Sequence, residues 1–286
     1  MEYLTVLSHI LYMEVQGHRG CRGRTPENSL LGFLTAIEAG ADALELDLLA
    51  TRDGVVVVHH NYSVNKKLCV RIDGKPIDGE PLIRSLTLDE LKQLDCGGKK
   101  NEHFTRQVPQ KGTLIPTLSE LLDLIHHCKH PNGKKVRLNL EIKRDSRHPE
   151  YTFAPHEFAK MVVEVVDRAS FSERVYYSSF DSESLAAIRA VKPIAKLGFI
   201  FDEETLPGDT LKMAVEIAAS VDAMVVSPHH VLLKNRDDLA ILRGFRVIPW
   251  TVNEPERWAQ LIDLSVDGII TDYPEELIDF LKQDKQ

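Results

Sequence analysis

Glu45 and Asp47 lie two residues apart in "ALELDLL" (43–49), an otherwise apolar strand, so both carboxylates sit on one side of it. Turned into an interior they repel each other and lose hydration, and a bound cation resolves both problems. Taken alone, the strand also allows a surface-facing pair. The stretch "RLNLEIK" (137–143) favours the interior: Leu138, Leu140 and Ile142 alternate with Asn139, Glu141 and Lys143, so one whole face is polar. If the apolar face packs on helices, the polar row must look inward. A structural Glu141–Lys143 pair is the plainer alternative. Glu45, Asp47 and Glu141, with no cysteine close by in sequence, suit a hard cation, Mg²⁺ or Ca²⁺, better than Zn²⁺.

Proton carriers and phosphate-binding groups occur elsewhere in the chain. In "GHRG" (17–20), His18 exchanges protons near neutrality and Arg19 offers a planar fork for phosphate oxygens. The flanking glycines are expected to let the backbone pass close to a ligand. "GVVVVHHNYSVN" (54–65) runs four valines into His59 and His60. Strand alternation lets one of these two face a site and does not choose between them. His126 and His127, near the end of an amphipathic helix, read as solvated or helix-stabilising. His229 and His230 follow the strand "AMVVSP" and are candidates for a rim contact. Trp250 reads either as an apolar wall for a substrate or as barrel packing.

These residues must be positioned by strands. Candidates fall at 13–20, 43–49, 136–143, 174–180, 195–201, 223–228, 246–252 and 267–274, each followed by a stretch of helical character. "PENSLLGFLTAIEAG" is the first helix, with Pro26 at its start and Gly40 as its stop, and "TLDE" (87–90) and "TLSE" (117–120) both fit capping boxes. Eight strand–helix units predict an α/β fold of the (β/α)₈ TIM-barrel type. The valine run is not a ninth parallel strand, because "ATRDG" (50–54) is too short for a crossover. It folds back antiparallel from a turn at Asp53-Gly54, which returns its far end to the mouth where such barrels keep their chemistry. Residues 61–116 are polar and rich in Gly and Lys. They read as an inserted subdomain after the second barrel strand, within a single catalytic domain spanning 1–286.

Composition bounds the rest. The 286 residues carry a formal charge of −8, which argues against a nucleic-acid or anionic-membrane surface as the main partner, while a small anionic substrate fits if positive charge is gathered locally. No stretch reaches the length of a membrane-spanning helix. The opening "MEYLTVLSHILYMEV" lacks the basic start and small-residue cleavage site of a secretion signal, and a cut at the usual length would remove His18 or its strand. Cys21, Cys69, Cys96 and Cys128 show no C-x-x-C spacing and read as free thiols of a reducing, cytoplasmic compartment.

Taken together, the motifs resemble the glycerophosphodiester phosphodiesterases. The likeness runs through "HRG…PENS" (18–29), "GADALELDLLATRDGVVVVHH" (40–60), "LTLDELKQLDCGG" (86–98), "IPTLSELL" (115–122), "LNLEIK" (138–143), "SSFD" (178–181), "WTVN" (250–253) and "DGIITDYP" (267–274). The resemblance implies a TIM barrel with an insert, and one divalent cation held by Glu45, Asp47 and Glu141. It also implies His18 and His60 as the acid–base pair, and Arg19 and Lys143 on the phosphate. It selects His60 over His59 by its separation from the Asp-Gly turn. The family's usual Asp after that histidine is here Asn61. The implied substrates are small glycerophosphodiesters, cleaved to sn-glycerol 3-phosphate and an alcohol. Rival readings are a lysophospholipase D or sphingomyelinase D on the same barrel, and a non-catalytic phosphate-ligand binder. An amidohydrolase-type metal barrel lacks its H-x-H motif here.

Overall fold

The computed structural model describes residues 13–283; residues 1–12, which make up most of the opening stretch read for a secretion signal, lie outside it. The elements run in the order β1 (Glu14–His18), α1 (Leu30–Ala39), β2 (Ala43–Ala50), β3 (Val56–Val58), β4 (Val70–Arg71), α2 (Leu88–Leu91), β5 (Leu94–Asp95), α3 (Leu118–His127) and β6 (Arg137–Ile142). There follow α4 (Pro155–Arg168), β7 (Val175–Ser179), α5 (Ser182–Val191), β8 (Leu197–Phe201), α6 (Thr210–Ser220) and β9 (Val225–Pro228). The last are α7 (Arg236–Ile241), β10 (Arg246–Val247), α8 (Pro255–Leu264), β11 (Gly268–Thr271) and α9 (Pro274–Gln283). Among the described residues, no helix is long and apolar enough to cross a membrane.

Eight strands pair in parallel in the order β10-β9-β8-β7-β6-β2-β1-β11, a nearly closed barrel. The seam between β10 and β11 is bridged by backbone hydrogen bonds from Asp267 to Val247 (2.9 Å), Ile270 to Pro249 (3.0 Å) and Val252 to Ile270 (3.0 Å). The regular strand expected over 246–252 covers only Arg246–Val247, and backbone hydrogen bonds toward β9 continue from Ile248 to Val226 (3.0 Å) and from Trp250 to Pro228 (3.1 Å). Apolar side chains of the helices pack on the outside of the sheet. On α4, for example, Phe158, Ala159, Val162, Val163 and Val166 form one buried face.

The valine run pairs antiparallel with β2, with Leu48 opposite Val58, Leu49 opposite Val57 and Ala50 opposite Val56. The turn rests on Gly54, whose φ of 80° lies in the left-handed region. Both capping boxes are present, Thr87 with Glu90 and Thr117 with Glu120. The first helix begins later than expected, at Leu30 with Ser29 as its cap, because Asn28 is left-handed (φ 52°) and cannot join it.

Between β3 and α3 the chain forms a two-stranded antiparallel pair, β4 with β5, over a separate apolar cluster that includes Val64, Cys69, Ile83, Leu91, Leu94 and Ile115. Leu49 of β2 and Val57 of β3 belong to the same cluster, so this segment is seated on the barrel hairpin. Cys69 and Cys96 are joined by a disulfide, which corrects the expectation of four free thiols; only Cys21 and Cys128 are free. The pairing of β4 and β5 brings together cysteines 27 residues apart, a proximity that local spacing does not reveal. It also removes the cysteine argument for a reducing compartment.

Candidate active site

Strand register gathers the acids. In the β1–β2 ladder His18 stands opposite Glu45, and in the β2–β6 ladder Asp47 stands opposite Glu141. The three carboxylates are buried, and each offers an oxygen within 4.8 Å of the others. At that spacing two like charges cost about 3.5 kcal/mol at an effective dielectric near ~20. Burial pushes the Glu45 carboxyl well above its usual range, with Asp47 and Glu141 adding to it. Burial raises Glu141 too, against the attraction of Lys143. Burial would also raise Asp47, but Arg19, His60, Lys143 and a hydrogen bond from Asn28 (2.8 Å) outweigh it and hold this carboxylate well below the usual range.

Two fixed cations face this cluster. Lys143 Nζ lies 2.8 Å from Glu141 and 3.6 Å from Asp47, and Arg19 Nε lies 3.3 Å from Asp47. Arg19 is left-handed (φ 50°), which aims its backbone N–H at Glu45 Oε2, 3.0 Å away, while its side chain donates to Glu27. The glycines around it allow a close approach of backbone segments. A Cβ on Gly17 would meet the Gly20 carbonyl oxygen at 2.4 Å, and one on Gly20 would meet the Gly32 backbone at 2.7 Å.

Even so, the cluster is not saturated. Asp47 Oδ1 is buried without a hydrogen-bond partner, and the positive group nearest to it, Lys143 Nζ, stands off at 3.6 Å. A buried carboxylate oxygen matched so loosely is costly, and a cation bound directly against it would relieve that cost. Three carboxylates plus an unsatisfied oxygen fit a divalent cation of the hard, oxygen-seeking kind.

His18 and His60 flank the cluster. His18 Nδ1 is 2.7 Å from Asp272 Oδ1, which leaves Nε2 facing Glu45 at 3.9 Å. Asp272 is in turn held by Asn253, whose amide donates to Oδ2 at 2.7 Å and whose carbonyl accepts the Asp272 N–H. Burial lowers the His18 pKa despite the pull of Asp272. His60 Nδ1 is 2.7 Å from Asn61 Oδ1. Burial pushes the His60 pKa down to about 3; the Asp47 charge opposes this, and Lys143 and Arg19 add to it.

A cavity of about 150 Å³ joins these groups. His18, Arg19, Glu45, His60, Asn139, Glu141 and Lys143 line its polar side, and Phe180, Ile200, Trp250 and Ile270 its apolar side. The polar row of β6 thus points inward as a whole. Trp250 is on the cavity wall, pinned by its indole N–H to the Ser227 carbonyl (2.8 Å) and edge-on to Phe180. His59 does not line the cavity, nor do His229 and His230, although His229 touches Trp250 from behind. His126 and His127 sit exposed in the last turn of α3 and do not line the cavity.

Asp272, Asn253, Asn28, Glu27 and Phe180 are site residues that reading the sequence did not single out. All five lie within four motifs already visible, "PENS", "SSFD", "WTVN" and "DGIITDYP". The available signal was position, since Asp272 directly follows the last barrel strand, where this fold concentrates chemistry.

A family model described as the glycerophosphoryl diester phosphodiesterase family matches residues 18–276. A glycerophosphodiester phosphodiesterase of Caldanaerobacter subterraneus subsp. tengcongensis is 32% identical over 270 residues, 94% of this chain and 98% of that one. A human lysophospholipase D is 27% identical, over 92% of this chain and 84% of its own. The crystal structure of a glycerophosphoryl diester phosphodiesterase assigned by similarity in Silicibacter pomeroyi superposes with a TM-score of 0.84 at 31% identity, covering 95% of this chain and 94% of that one.

Proposed function

The chain belongs to the glycerophosphoryl diester phosphodiesterase family, and on that premise we propose that it hydrolyses small glycerophosphodiesters of the choline, ethanolamine or inositol type to sn-glycerol 3-phosphate and an alcohol. The observation that carries this reading is the convergence of two imidazoles, three carboxylates and two fixed cations on one cavity.

In this reading Glu45, Asp47 and Glu141 hold one divalent cation, Mg²⁺ or Ca²⁺. When bound, it supplies positive charge against the non-bridging phosphate oxygens. Arg19 and Lys143 turn the rest of the field positive, so that a diester anion is attracted to a site built on acids. His18 and His60 divide the proton transfers. One takes the proton of the attacking hydroxyl, from water or from the substrate's glycerol, and the other returns a proton to the departing alkoxide. Asp272 keeps a proton on His18 Nδ1, so that Nε2 is the working atom. The apolar wall of Phe180 and Trp250 receives the carbon skeleton of the glycerol. Residues 61–116 act as an inserted subdomain of this one catalytic unit, contributing Tyr62, Glu80 and Leu82 to the rim around His60.

The human relative keeps a lysophospholipase D reading in view. A second hollow of about 580 Å³ adjoins the cavity through Glu141, Lys143 and Phe180, and its remaining walls include Arg144, Asp145, Arg147, Asp181 and Asp202. Such polar walls favour a hydrophilic alcohol over an acyl chain. Release of glycerol 3-phosphate from glycerophosphocholine, with little turnover of lysophosphatidylcholine, is the expected result. The reverse preference would overturn the substrate assignment.

A further inference from the structure

We propose that residues 61–116 carry a second binding surface, a face around β4 and β5 that docks on anionic lipid. A concavity of about 460 Å³ lies there, ringed by Lys66, Arg71, Lys75 and Lys99 over a floor that includes Val70 and Ile77. Among the described residues, no Asp or Glu lines it. It shares no lining residue with the catalytic cavity.

Charge is distributed unevenly in the chain. Residues 61–116 hold ten Lys and Arg against seven Asp and Glu, so this segment is +3 within a chain of −8, and the rest is −11. Arg71 and Lys75 share Asp73. Lys66, Lys67, Lys99 and Lys100 are exposed and have no carboxylate partner among the described residues. Lys99 instead donates to the Lys66 backbone carbonyl at 2.7 Å, which draws the two lysine pairs together. The Cys69–Cys96 disulfide ties the arm carrying Lys66, Lys67 and Arg71 to the arm carrying Lys99 and Lys100. Six cations held so closely cost self-repulsion that an anionic surface relieves, and basic clusters of about 4–8 residues are the sequence mark of such binding.

The choice of a lipid surface over another polyanion rests on Ile72. It is 56% exposed at the tip of the turn that follows β4, among the cations. An exposed apolar side chain next to Arg71, in a segment of net positive charge, suits the boundary between headgroups and acyl chains. No aromatic residue lines the concavity to stack on a base, and the acidic remainder of the chain repels a long nucleic acid. The same segment also contributes Tyr62, Ser63, Glu80 and Leu82 to the hollow around His60.

The test is sedimentation of the full chain with phosphatidylcholine vesicles, with and without phosphatidylglycerol, at low and high salt. The expected result is at least about tenfold tighter association with the anionic vesicles, lost as salt rises. The double variant Lys66→Glu/Lys99→Glu should lose about tenfold of that binding, and Ile72→Ser a few-fold at unchanged charge. Both should retain wild-type melting temperature and turnover of soluble glycerophosphocholine. Equal binding to neutral and anionic vesicles, or full binding by the charge-reversed variant, would overturn the proposal. So would displacement by inorganic phosphate at matched ionic strength, which would mark the concavity as a small-anion site. Vesicle binding is read without turnover, so its failure leaves the phosphodiesterase reading untouched, and the converse holds.

Discussion

The two ends of the barrel treat a buried acid in opposite ways. At the end where the strands begin, Glu14 is 3% exposed and fully engaged. Gln16 donates to its Oε1 at 2.7 Å, and Arg137 and Arg246 close on its Oε2 at 2.9 and 2.6 Å. At the end where they finish, Asp47 is 1% exposed and one of its oxygens has no hydrogen bond and only Lys143 at 3.6 Å, while two more carboxylates crowd beside it. One arrangement is closed and neutralised, as a structural ion pair must be. The other is left incomplete within the same protein interior. An arrangement that stable packing alone would reject marks the place where a ligand finishes the structure.

The sharpest way to break this contrast is to remove a proton carrier. His18→Ala or His60→Ala should lower kcat by about 10²–10⁴-fold while leaving fold and metal affinity in place, checked by steady-state assay and calorimetry. Unchanged kcat in the His60 variant would move attention to His59. Next comes the group behind His18. Asp272→Asn should cost about 10–100-fold in kcat, with a shifted pH profile and little change in KM, because an amide no longer enforces the Nδ1 proton. A purely structural role for Asp272 would move melting temperature and not the profile.

Substitution at each end should also differ in sign. Glu45→Gln keeps an acceptor for the Arg19 N–H and replaces a carboxyl whose ionisation is opposed by burial and by two acidic neighbours with a group that never ionises. The metal-free variant should therefore be more stable than wild type by roughly 1 kcal/mol while losing activity. Glu14→Gln at the closed end should lose roughly 1–3 kcal/mol and keep kcat. Thermal melts of both, without metal, decide this. The smallest effect is expected at Asn61. Burial holds the His60 pKa at about 3, and a carboxylate at residue 61 favours the imidazolium, so Asn61→Asp should raise that pKa. His60 then begins to lose its neutral form at a higher pH on acidification, and the acid limb of the rate profile should move up with only a few-fold change in kcat.

Much of this contrast was legible in the sequence, and the parts that were not share a cause. The barrel strands follow from apolar runs alternating with helical stretches, and the fold-back of the valine run follows from a link too short for any crossover. The acids of β2 and β6 declared themselves by a period of two in otherwise apolar strands. What stayed hidden depends on contacts between distant residues. Asp272 becomes a partner of His18 only through the adjacency of β1 and β11, 254 positions apart in the chain. The Cys69–Cys96 bond depends on the pairing of β4 with β5. Asn28 gave no helical signal against it, yet its left-handed backbone turns its amide to Asp47 and delays α1. The backbone that packs on the GHRG glycines, Gly32 of α1 among it, was likewise invisible in the sequence.

The central claim is that the unsaturated end is completed by a cation needed for turnover. Its most direct test is release of glycerol 3-phosphate from glycerophosphocholine by protein stripped with EDTA, with residual metal measured, then titrated with Mg²⁺ or Ca²⁺ across pH. The account predicts no product from the stripped protein and full recovery with added metal. Because burial holds Glu45 and Glu141 above the usual carboxylate range, both must release protons to bind, so the metal needed for half-recovery should rise as pH falls. Full activity in protein free of divalent metal would contradict it.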